Sequence, residues 1–329
     1  MTDLLSEGEM YRIHHGDAIP HMHTMPEACI DTCIYSPPFP KVFAYTDFET
    51  DLGNSESIPE AKVHFSYLFR AIRRVMKPGR VMIVHCTQIH KSKRDGDRGV
   101  FDFRGMLIRL AQRAGFIYEY DWILRQNPQA QAIRGKKWEL KFQGLESDRA
   151  QSRGAMGDYL LKFLTPGVNA VPITDKTDAS AENFVIQPQV TRNDWIKWAE
   201  GCWDDIVHTD TLNIHEGRAE EDTQHICPFA LEVVRRLILL YSNPGEIVMD
   251  PFSGIGSVAY TALGGAAPKS KRRIFDQRRF YGCELKDEYH AAAVNNCKRA
   301  MRDYAVQQKD LFADYVPEPD TAMEHATDG

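Results

Sequence analysis

The sequence CIDTCIYSPPF, residues 29–39, decides the fold prediction. Its first seven residues form an apolar, β-branched run that is typical of a strand buried on both faces of a sheet. Proline cannot continue a central hydrogen-bond ladder, so Ser36, Pro37, Pro38 and Phe39 end that strand in a rigid turn. We therefore predict a buried strand whose carboxyl end presents a hydroxyl group, a backbone carbonyl and an aromatic ring in fixed geometry.

Strand and helix patterns alternate on both sides of this run. Breaks such as Lys77-Pro78-Gly79 separate them. The predicted helices are 58–76, 103–114, 228–241 and 257–263, and the further predicted strands are 80–86, 116–124, 246–250 and 279–284. Because strands that alternate with helices form parallel βαβ units, we predict an α/β fold with a mostly parallel, doubly wound sheet.

The alternation fades between residues 125 and 222, where Gly, Pro, Asn, Gln and Arg become frequent. Long irregular segments in compact proteins are usually functional or disordered, and the tryptophans at 138, 195, 198 and 203 argue against wholesale disorder. We divide the chain into a first regular part (1–124), an irregular middle region (125–222) and a second regular part (223–305). Residues 306–329 are acidic, and we expect a mobile tail there.

Composition bounds the function. The 329 residues are 43% hydrophobic and 26% charged, and no stretch reaches the roughly 20 apolar residues needed to span a membrane. Seven scattered cysteines favour a reducing compartment, so we expect a cytoplasmic protein. The His and Cys pairs do not form a set with zinc-ligand spacing, and we predict no metal site. A net charge of −6 is compatible with DNA binding, because a duplex meets a local basic face.

A second motif, EIVMDPFSGIGSV at residues 246–258, predicts a strand, a glycine turn and a helix. Such a turn allows close approach of a pyrophosphate or of a methionine carboxylate, and it is also a common tight connection. The dinucleotide fingerprint is incomplete, because Tyr260 stands near the place of its third glycine. Glu284 ends the next predicted strand, where an acid can bind ribose hydroxyls. Phe229 could contact a cofactor, although packing in the core is the commoner role of phenylalanine.

SPPF early and DPFSGIGS late, in that order, resemble the N4-cytosine/N6-adenine DNA methyltransferases of the permuted β class. Residues 39–54 resemble a variant seen among phage and mobile-element members. The resemblance covers residues 11–296, and it implies that 1–124 are the catalytic half, 125–222 the recognition region and 223–305 the cofactor half. It implies a Rossmann-like S-adenosylmethionine-dependent methyltransferase fold with an inserted target-recognition region, S-adenosyl-L-methionine as cofactor and DNA as substrate.

The resemblance also implies roles for individual residues. Ser36 and the Pro37 carbonyl would accept hydrogen bonds from the target amino group, Pro38 belongs to the same rigid turn, and Phe39 would stack on a flipped base. The implied cofactor-binding residues are Asp17, Phe229, Asp250, Pro251, Phe252, Ser253, Gly254, Gly256, Ser257 and Glu284.

A serine at position 36 favours cytosine N4 as the target, because N6-adenine relatives more often carry aspartate there. We expect direct in-line transfer without a covalent intermediate, since the chain has no Pro-Cys dipeptide for C5 chemistry. The alternatives are an N6-adenine enzyme, an RNA or protein methyltransferase, and a catalytically silent nucleic-acid-binding module.

Basic residues interleaved with aromatic ones in the middle region suit contact with DNA phosphates. They are Arg134, Lys136, Lys137, Lys141, Arg149 and Arg153. The alternative is a solvated charged loop. Amides at 126–131 could read adenine edges. Residues 269–273 form a second basic stretch in a predicted surface loop. The enzyme could work with or without a cognate restriction endonuclease.

Overall fold

A twisted sheet of eight strands forms the centre of the protein in a computed structural model, which describes residues 4–39, 55, 57–91, 99–135, 142–152, 154–174, 189–213 and 229–313. Two further strands of these residues form a small separate hairpin. In chain order the strands are β1 (Tyr11–His15), β2 (Ile30–Tyr35), β3 (Met76–Cys86), β4 (Ile89–His90), β5 (Val100–Phe101), β6 (Ile117–Leu124), β7 (Asp158–Leu164), β8 (Cys202–Trp203), β9 (Ile247–Asp250) and β10 (Arg279–Glu284).

The order across the sheet is β1-β10-β9-β2-β3-β7-β6-β8, and β7 alone of these strands runs antiparallel to its neighbours. The chain proceeds outward from β9 to β10 in one direction and from β2 to β3 in the other. The boundary between β9 and β2 is therefore the topological switch point, where doubly wound folds bind ligands at the carboxyl ends of the strands.

Helices cover both faces of the sheet. They are α1 (Ala18–Thr24), α2 (Ile58–Val75), α3 (Phe103–Arg113), α4 (Pro128–Gly135), α5 (Phe142–Glu146), α6 (Arg192–Trp198), α7 (Leu231–Tyr241), α8 (Ser257–Ala262) and α9 (Asp287–Ala313). One buried cluster joins α1, α2 and α3 to the sheet, and the other joins α7, α8 and α9 to the opposite face. This arrangement confirms the predicted doubly wound α/β sheet.

The predicted helix over 58–76 ends within one residue of its expected end, but the predicted start of the next strand at residue 80 is wrong. Strand β3 begins at Met76, directly after α2, and Met76 already pairs with Ile30. A register irregularity between Ile30 and Thr32 accommodates the extra residues, and Gly79 adopts a left-handed φ of +68°. Proline and glycine are tolerated here because the ladder is already irregular.

The sheet also extends into the predicted recognition region. Strand β7 pairs with β3 and β6, and the Trp198 carbonyl accepts hydrogen bonds from the indole N–H groups of Trp122 and Trp203. Strands β7 and β8 thus lie between residues 125 and 222 and belong to the sheet, and the division of the chain at residue 125 remains a prediction. A recognition role for the segments around them remains a prediction.

The end of the described chain differs from expectation as well. Helix α9 continues to Ala313, so residues 306–313 of the predicted tail are helical, and a mobile tail beyond them remains a prediction. Residues 314–329 lie outside the described residues. Among the helices of the described chain, none is long and apolar enough to cross a membrane.

Candidate active site

The two sequence motifs meet at the switch point. Strands β2 and β9 are neighbours, with Cys33 opposite Met249, so the turns that follow them leave the same edge of the sheet. The ring of Tyr35, the last residue of β2, lies 5.9 Å from the ring of Phe252 in the glycine turn. The predicted catalytic and cofactor segments therefore lie side by side at the switch point, where folds of this kind form their ligand crevice.

The serine of the first turn is tied to the neighbouring strand. Ser36 is half-buried, and its Oγ donates a hydrogen bond to the main-chain oxygen of His85 at 3.4 Å. Because the hydroxyl hydrogen points to His85, the oxygen lone pairs remain able to accept a hydrogen bond from another group. Pro37 is buried and Pro38 half-buried, as a rigid turn requires.

Phe39 closes this turn against α3. Its ring centroid lies 5.6 Å from that of Phe103 at an interplanar angle of 48°, and the side chain is half-buried beside the α1–α3 cluster. Phe39 thus has a packing partner, and stacking on a base remains a prediction. Residues 40–54, which include most of the segment that resembles phage and mobile-element enzymes, lie outside the described residues.

The second turn is organised around Asp250. Its carboxylate accepts a hydrogen bond from the Phe252 N–H at 2.9 Å, and its main-chain oxygen accepts one from Ser253 Oγ at 3.2 Å. Ser253 N–H in turn donates to the Cys283 carbonyl, which anchors the turn to β10. Burial, with a contribution from the nearby Glu284 charge, raises the pKa of Asp250 to about 8.

Two glycines shape the rest of the turn. Gly254 has a φ of +53°, and a Cβ added there would meet no heavy atom within 4 Å, so this backbone faces open space. Gly256 has a φ of +87°, and its Cβ would lie 3.1 Å from the Cα of Ala293 in α9. Pro251 and Ser257, which flank this segment, are both buried.

Glu284 braces the glycine turn. One of its carboxylate oxygens accepts a hydrogen bond from the Gly254 N–H at 2.7 Å, and the other accepts one from Lys286 N–H at 2.9 Å. The side chain is half-buried at the carboxyl end of β10, and its binding of a ribose remains a prediction. The hydrogen bond from Gly254 to Glu284 was not predictable from the sequence, because it depends on the residues at which β9 and β10 end.

Asp17 follows β1, the strand next to β10, so it lies at the same edge as Glu284. Its Oδ1 accepts a hydrogen bond from the Ile19 N–H at 2.9 Å and thereby caps α1. Burial raises the pKa of Asp17 above its ordinary value. Asp17, Glu284 and Asp250 thus stand at the ends of three consecutive strands, β1, β10 and β9.

Phe229 lies on the catalytic side of the crevice. Its ring stacks on the imidazole of His85, with centroids 4.5 Å apart and an interplanar angle of 24°. The side chain is 8% exposed and belongs to the α7–α9 cluster. Phe229 therefore lies beside β3, the strand whose His85 carbonyl binds the Ser36 hydroxyl, and a contact with cofactor remains a prediction.

The sequence missed the polar pair His85 and Asp158. Nε2 of His85 lies 3.6 Å from Oδ2 of Asp158, which also accepts a hydrogen bond from the Gln126 side-chain amide at 2.6 Å. Both imidazole nitrogens are buried without a hydrogen-bond partner among the described residues. His85 is a polar residue next to the end of an apolar strand, which could have signalled a site, but Asp158 could not be placed without β7.

The predicted DNA-contacting residues are only partly described. Arg134 lies in α4, and Arg149 begins a 3₁₀ turn (Arg149–Gln151) and donates to the Leu145 carbonyl. Lys136, Lys137, Lys141 and Arg153 lie outside the described residues. The side-chain amide of Gln131 donates a hydrogen bond to the Met156 carbonyl and accepts one from the Met156 N–H. Both ends of the amide are therefore engaged, and Gln131 is not available to read a base in this conformation.

The second basic stretch, residues 269–273, is held by buried acids. The Asp210 carboxylate accepts hydrogen bonds from the main-chain N–H groups of Lys269 and Ser270 at 2.8 and 2.9 Å. The Arg272 guanidinium lies 3.0 Å from Glu232 of α7. Within the described residues, no group of three or more His, Cys, Asp or Glu side chains is placed to hold a metal ion.

Comparisons with known proteins identify the same architecture. The sequence model of a family described as DNA methylase matches residues 30–295. Over 70 residues the chain is 36% identical to the type II methyltransferase M.BglII of Bacillus subtilis, and this match spans 21% of the chain but only 16% of that relative.

Solved structures match over nearly the whole chain. A candidate DNA modification methylase from Thermus thermophilus, crystallised with S-adenosyl-L-methionine, has a TM-score of 0.62 at 21% identity, covering 88% of this chain and 94% of that one. The cytosine-N4-specific PvuII DNA methyltransferase has a TM-score of 0.54 at 14% identity, covering 90% and 92%. At these identities the likeness shows the fold alone, and it confirms the predicted Rossmann-like methyltransferase fold.

Proposed function

Because this chain belongs to the family of DNA methylases that modify N4 or N6 amino groups, we propose that it methylates N4 of cytosine in DNA. The membership makes it a DNA methyltransferase that uses S-adenosylmethionine. The proposal rests above all on one observation, the adjacency of the serine turn after β2 and the glycine turn after β9. Contact between Tyr35 and Phe252 joins the two turns.

The residues around the glycine turn fit the methyl donor. When bound, S-adenosylmethionine supplies an activated methyl group on a sulfonium centre. Gly254 leaves open space beside its backbone, as a closely approaching ligand needs. We assign the methionine end to residues 250–254 with Gly256 and Ser257, the ribose to Glu284, the adenine to Asp17, and a flanking contact to Phe229.

Ser36 and the Pro37 carbonyl would bind the target amino group. An aromatic amine is a poor nucleophile while its lone pair is delocalised into the ring. Two acceptors that pull its hydrogens out of the ring plane favour tetrahedral nitrogen and take up developing positive charge. The Ser36 hydroxyl is suited to accept, since it donates its own hydrogen to His85.

The base must leave the duplex to reach this crevice, and Phe39 would stack on it there. A neutral hydroxyl at position 36, rather than a carboxylate, supports cytosine as the target. We assign target recognition to residues 125–222 outside β7 and β8, with phosphate contacts from the basic residues between 134 and 153.

Product analysis tests this proposal. Purified protein is incubated with labelled S-adenosylmethionine and unmethylated mixed-sequence DNA, and the digested nucleosides are identified by mass spectrometry. We expect N4-methylcytosine, with a rate about 10- to 100-fold lower in Ser36→Ala, the loss of about 1.5–3 kcal/mol of hydrogen bonding to a charged group.

The matched control is Ser66→Ala, which removes a half-buried hydroxyl on α2 whose described hydrogen bond goes to the Lys62 carbonyl of the same helix. This control is expected to leave the rate unchanged. N6-methyladenine as the product would overturn the base assignment and keep the chemistry. No labelled DNA base, with cofactor demonstrably bound, would overturn the DNA proposal and direct the search to RNA or protein.

A further inference from the structure

The imidazole of His85 occupies a distinctive place in the crevice. His85 lies at the end of β3, next to β2, and its carbonyl holds the Ser36 hydroxyl. On one side its ring stacks on Phe229, and on another its Nε2 faces the Asp158 carboxylate at 3.6 Å. A histidine packed in this way, with two buried nitrogens lacking hydrogen-bond partners among the described residues, calls for an explanation.

The surroundings select one tautomer of the neutral ring. A carboxylate can only accept, so the hydrogen belongs on Nε2, which faces Asp158. Nδ1 then carries a lone pair that no described residue uses. Gln126 donates to the same carboxylate oxygen at 2.6 Å, which fixes the carboxylate in position. A neutral acceptor backed by an anion is the arrangement that takes up a proton readily.

The proposed reaction releases one proton. As the N–CH₃ bond forms, the target nitrogen contributes its lone pair, the carbon–sulfur bond breaks, and sulfur keeps that bonding pair. The nitrogen is left with a positive charge until it loses a hydrogen. The Ser36 hydroxyl and the Pro37 carbonyl are neutral acceptors far too weakly basic to hold that proton.

We propose that His85 is the terminal acceptor of this proton, which ends on Nδ1, and that Asp158 stabilises the resulting imidazolium. The inference rests on the proposed amino-methylation. It gives His85 a role that neither sequence motif contains. Asp250 is a poorer candidate, because its carboxylate is engaged by the Phe252 N–H in the cofactor turn.

Single-turnover kinetics test the assignment, because they measure methyl transfer apart from product release. Among the described residues, Asp158 is the ionisable group in contact with the ring, and His208 reaches that carboxylate through Gln126. We expect the wild-type rate to fall as the pH is lowered, because a ring that already carries both protons can no longer accept one.

The variant His85→Gln keeps a polar side chain but lacks a basic nitrogen. We expect a rate about 100-fold lower, the contribution of a positioned general base, and a flat acid limb. Added imidazole is expected to restore part of the rate to His85→Ala. His23→Gln is the matched control, with the same substitution at an exposed histidine of α1, and is expected to keep both the rate and the acid limb.

Nitrogen-15 NMR of labelled histidines in the wild-type protein gives a readout besides activity. The His85 resonances are identified by their absence from His85→Gln or His85→Ala. We expect a neutral ring protonated on Nε2 at pH 8. A ring protonated on Nδ1 overturns the proposal, and so does a His85→Gln rate within threefold of wild type. Failure of wild type to methylate DNA would instead overturn the proposed function.

Discussion

Gly254 and Gly256 stand two residues apart in one turn, yet different constraints act on them. Both have left-handed φ values, which cost other residues about 1–2 kcal/mol. Only Gly256 is also pressed against α9, with the Cα and Cβ of Ala293 3.1 and 3.2 Å from an added Cβ. The sequence motif does not distinguish the two glycines, because neither the φ angle of each residue nor its distance to α9 can be read from it.

The two positions therefore predict different outcomes for alanine. Gly256→Ala should lower the free energy of unfolding by about 2–4 kcal/mol, since overpacking of about 1–3 kcal/mol adds to the backbone cost. Gly254→Ala should cost only about 1–2 kcal/mol and instead weaken binding of S-adenosylmethionine, because its methyl group enters the open crevice. Denaturant unfolding and calorimetric titration separate the two effects. Equal losses of stability would contradict the packing argument.

The contribution of Asp250 to the free energy of unfolding depends on pH. Its folded pKa is about 8, against an ordinary value of 3.8, so the folded state retains a proton that the unfolded state releases. Any stabilisation from this carboxyl is full below about pH 4 and is lost as the pH rises towards 8. Asp250→Asn keeps an oxygen that can accept from Phe252 N–H but has no charge to bury. We expect the melting temperature of the variant to rise relative to that of wild type as the pH increases from 5 to 8. A difference in melting temperature that stays constant over this range would argue against a buried carboxylate.

At the scale of helices and strands, the periodic elements follow from sequence and the short ones do not. Strand β2, helix α3 and strand β10 lie within a residue or two of their predicted bounds, because apolar runs and Gly or Pro breaks define them. The short edge strands β1 and β8 carry no such run.

Strand β7 shows why the catalytic crevice was only half predicted. Its sequence DYLLKFL mixes charged and apolar residues, and its antiparallel direction breaks the expected βαβ rhythm. Asp158 at its start meets His85 only through that pairing. The Ser36 and Asp250 turns were predictable, since each follows a strongly apolar strand, whereas a contact made by long-range pairing was not.

The edge of the sheet is tied to α7 by an ion pair between a buried arginine and a more exposed aspartate. The Arg236 guanidinium, 1% exposed, donates to both carboxylate oxygens of Asp205, just after β8, and to Glu232. Burial opposes ionisation of Asp205, but hydrogen bonds and charge from Arg236 and Lys197 outweigh it and hold its pKa well below the ordinary value.

Asp205→Asn should therefore be destabilising by about 1–3 kcal/mol at pH 7, the cost of leaving a buried charge short of its partner. A depressed carboxyl pKa stabilises the fold above about pH 4 and ceases to do so as the pH falls through the folded value. The difference in unfolding free energy between wild type and variant should shrink as the pH falls from 4 to 2. Asp204→Asn, an exposed neighbour, is the control and should show little effect at either pH.

For the whole molecule, a net charge of −6 must be reconciled with a polyanionic substrate. Residues 269–273 are anchored by Asp210 and Glu232, so acids lie close to that basic loop. Lys136 and Lys137 belong instead to the segment predicted to meet DNA. A local basic face should act through counterion release, whereas net charge alone would make all lysines equivalent.

Two double variants with the same change in charge distinguish these possibilities. Lys136→Ala with Lys137→Ala should weaken DNA binding and make the slope of log affinity against log salt shallower by about 0.9 for each phosphate that the protein no longer neutralises. Lys269→Ala with Lys271→Ala should leave the slope nearly unchanged, and neither pair should alter S-adenosylmethionine affinity. Fluorescence anisotropy across a salt series gives the slopes. Equal slopes in the two variants would mean that DNA responds to the overall charge, and the assignment of the 134–153 face would then have to be abandoned.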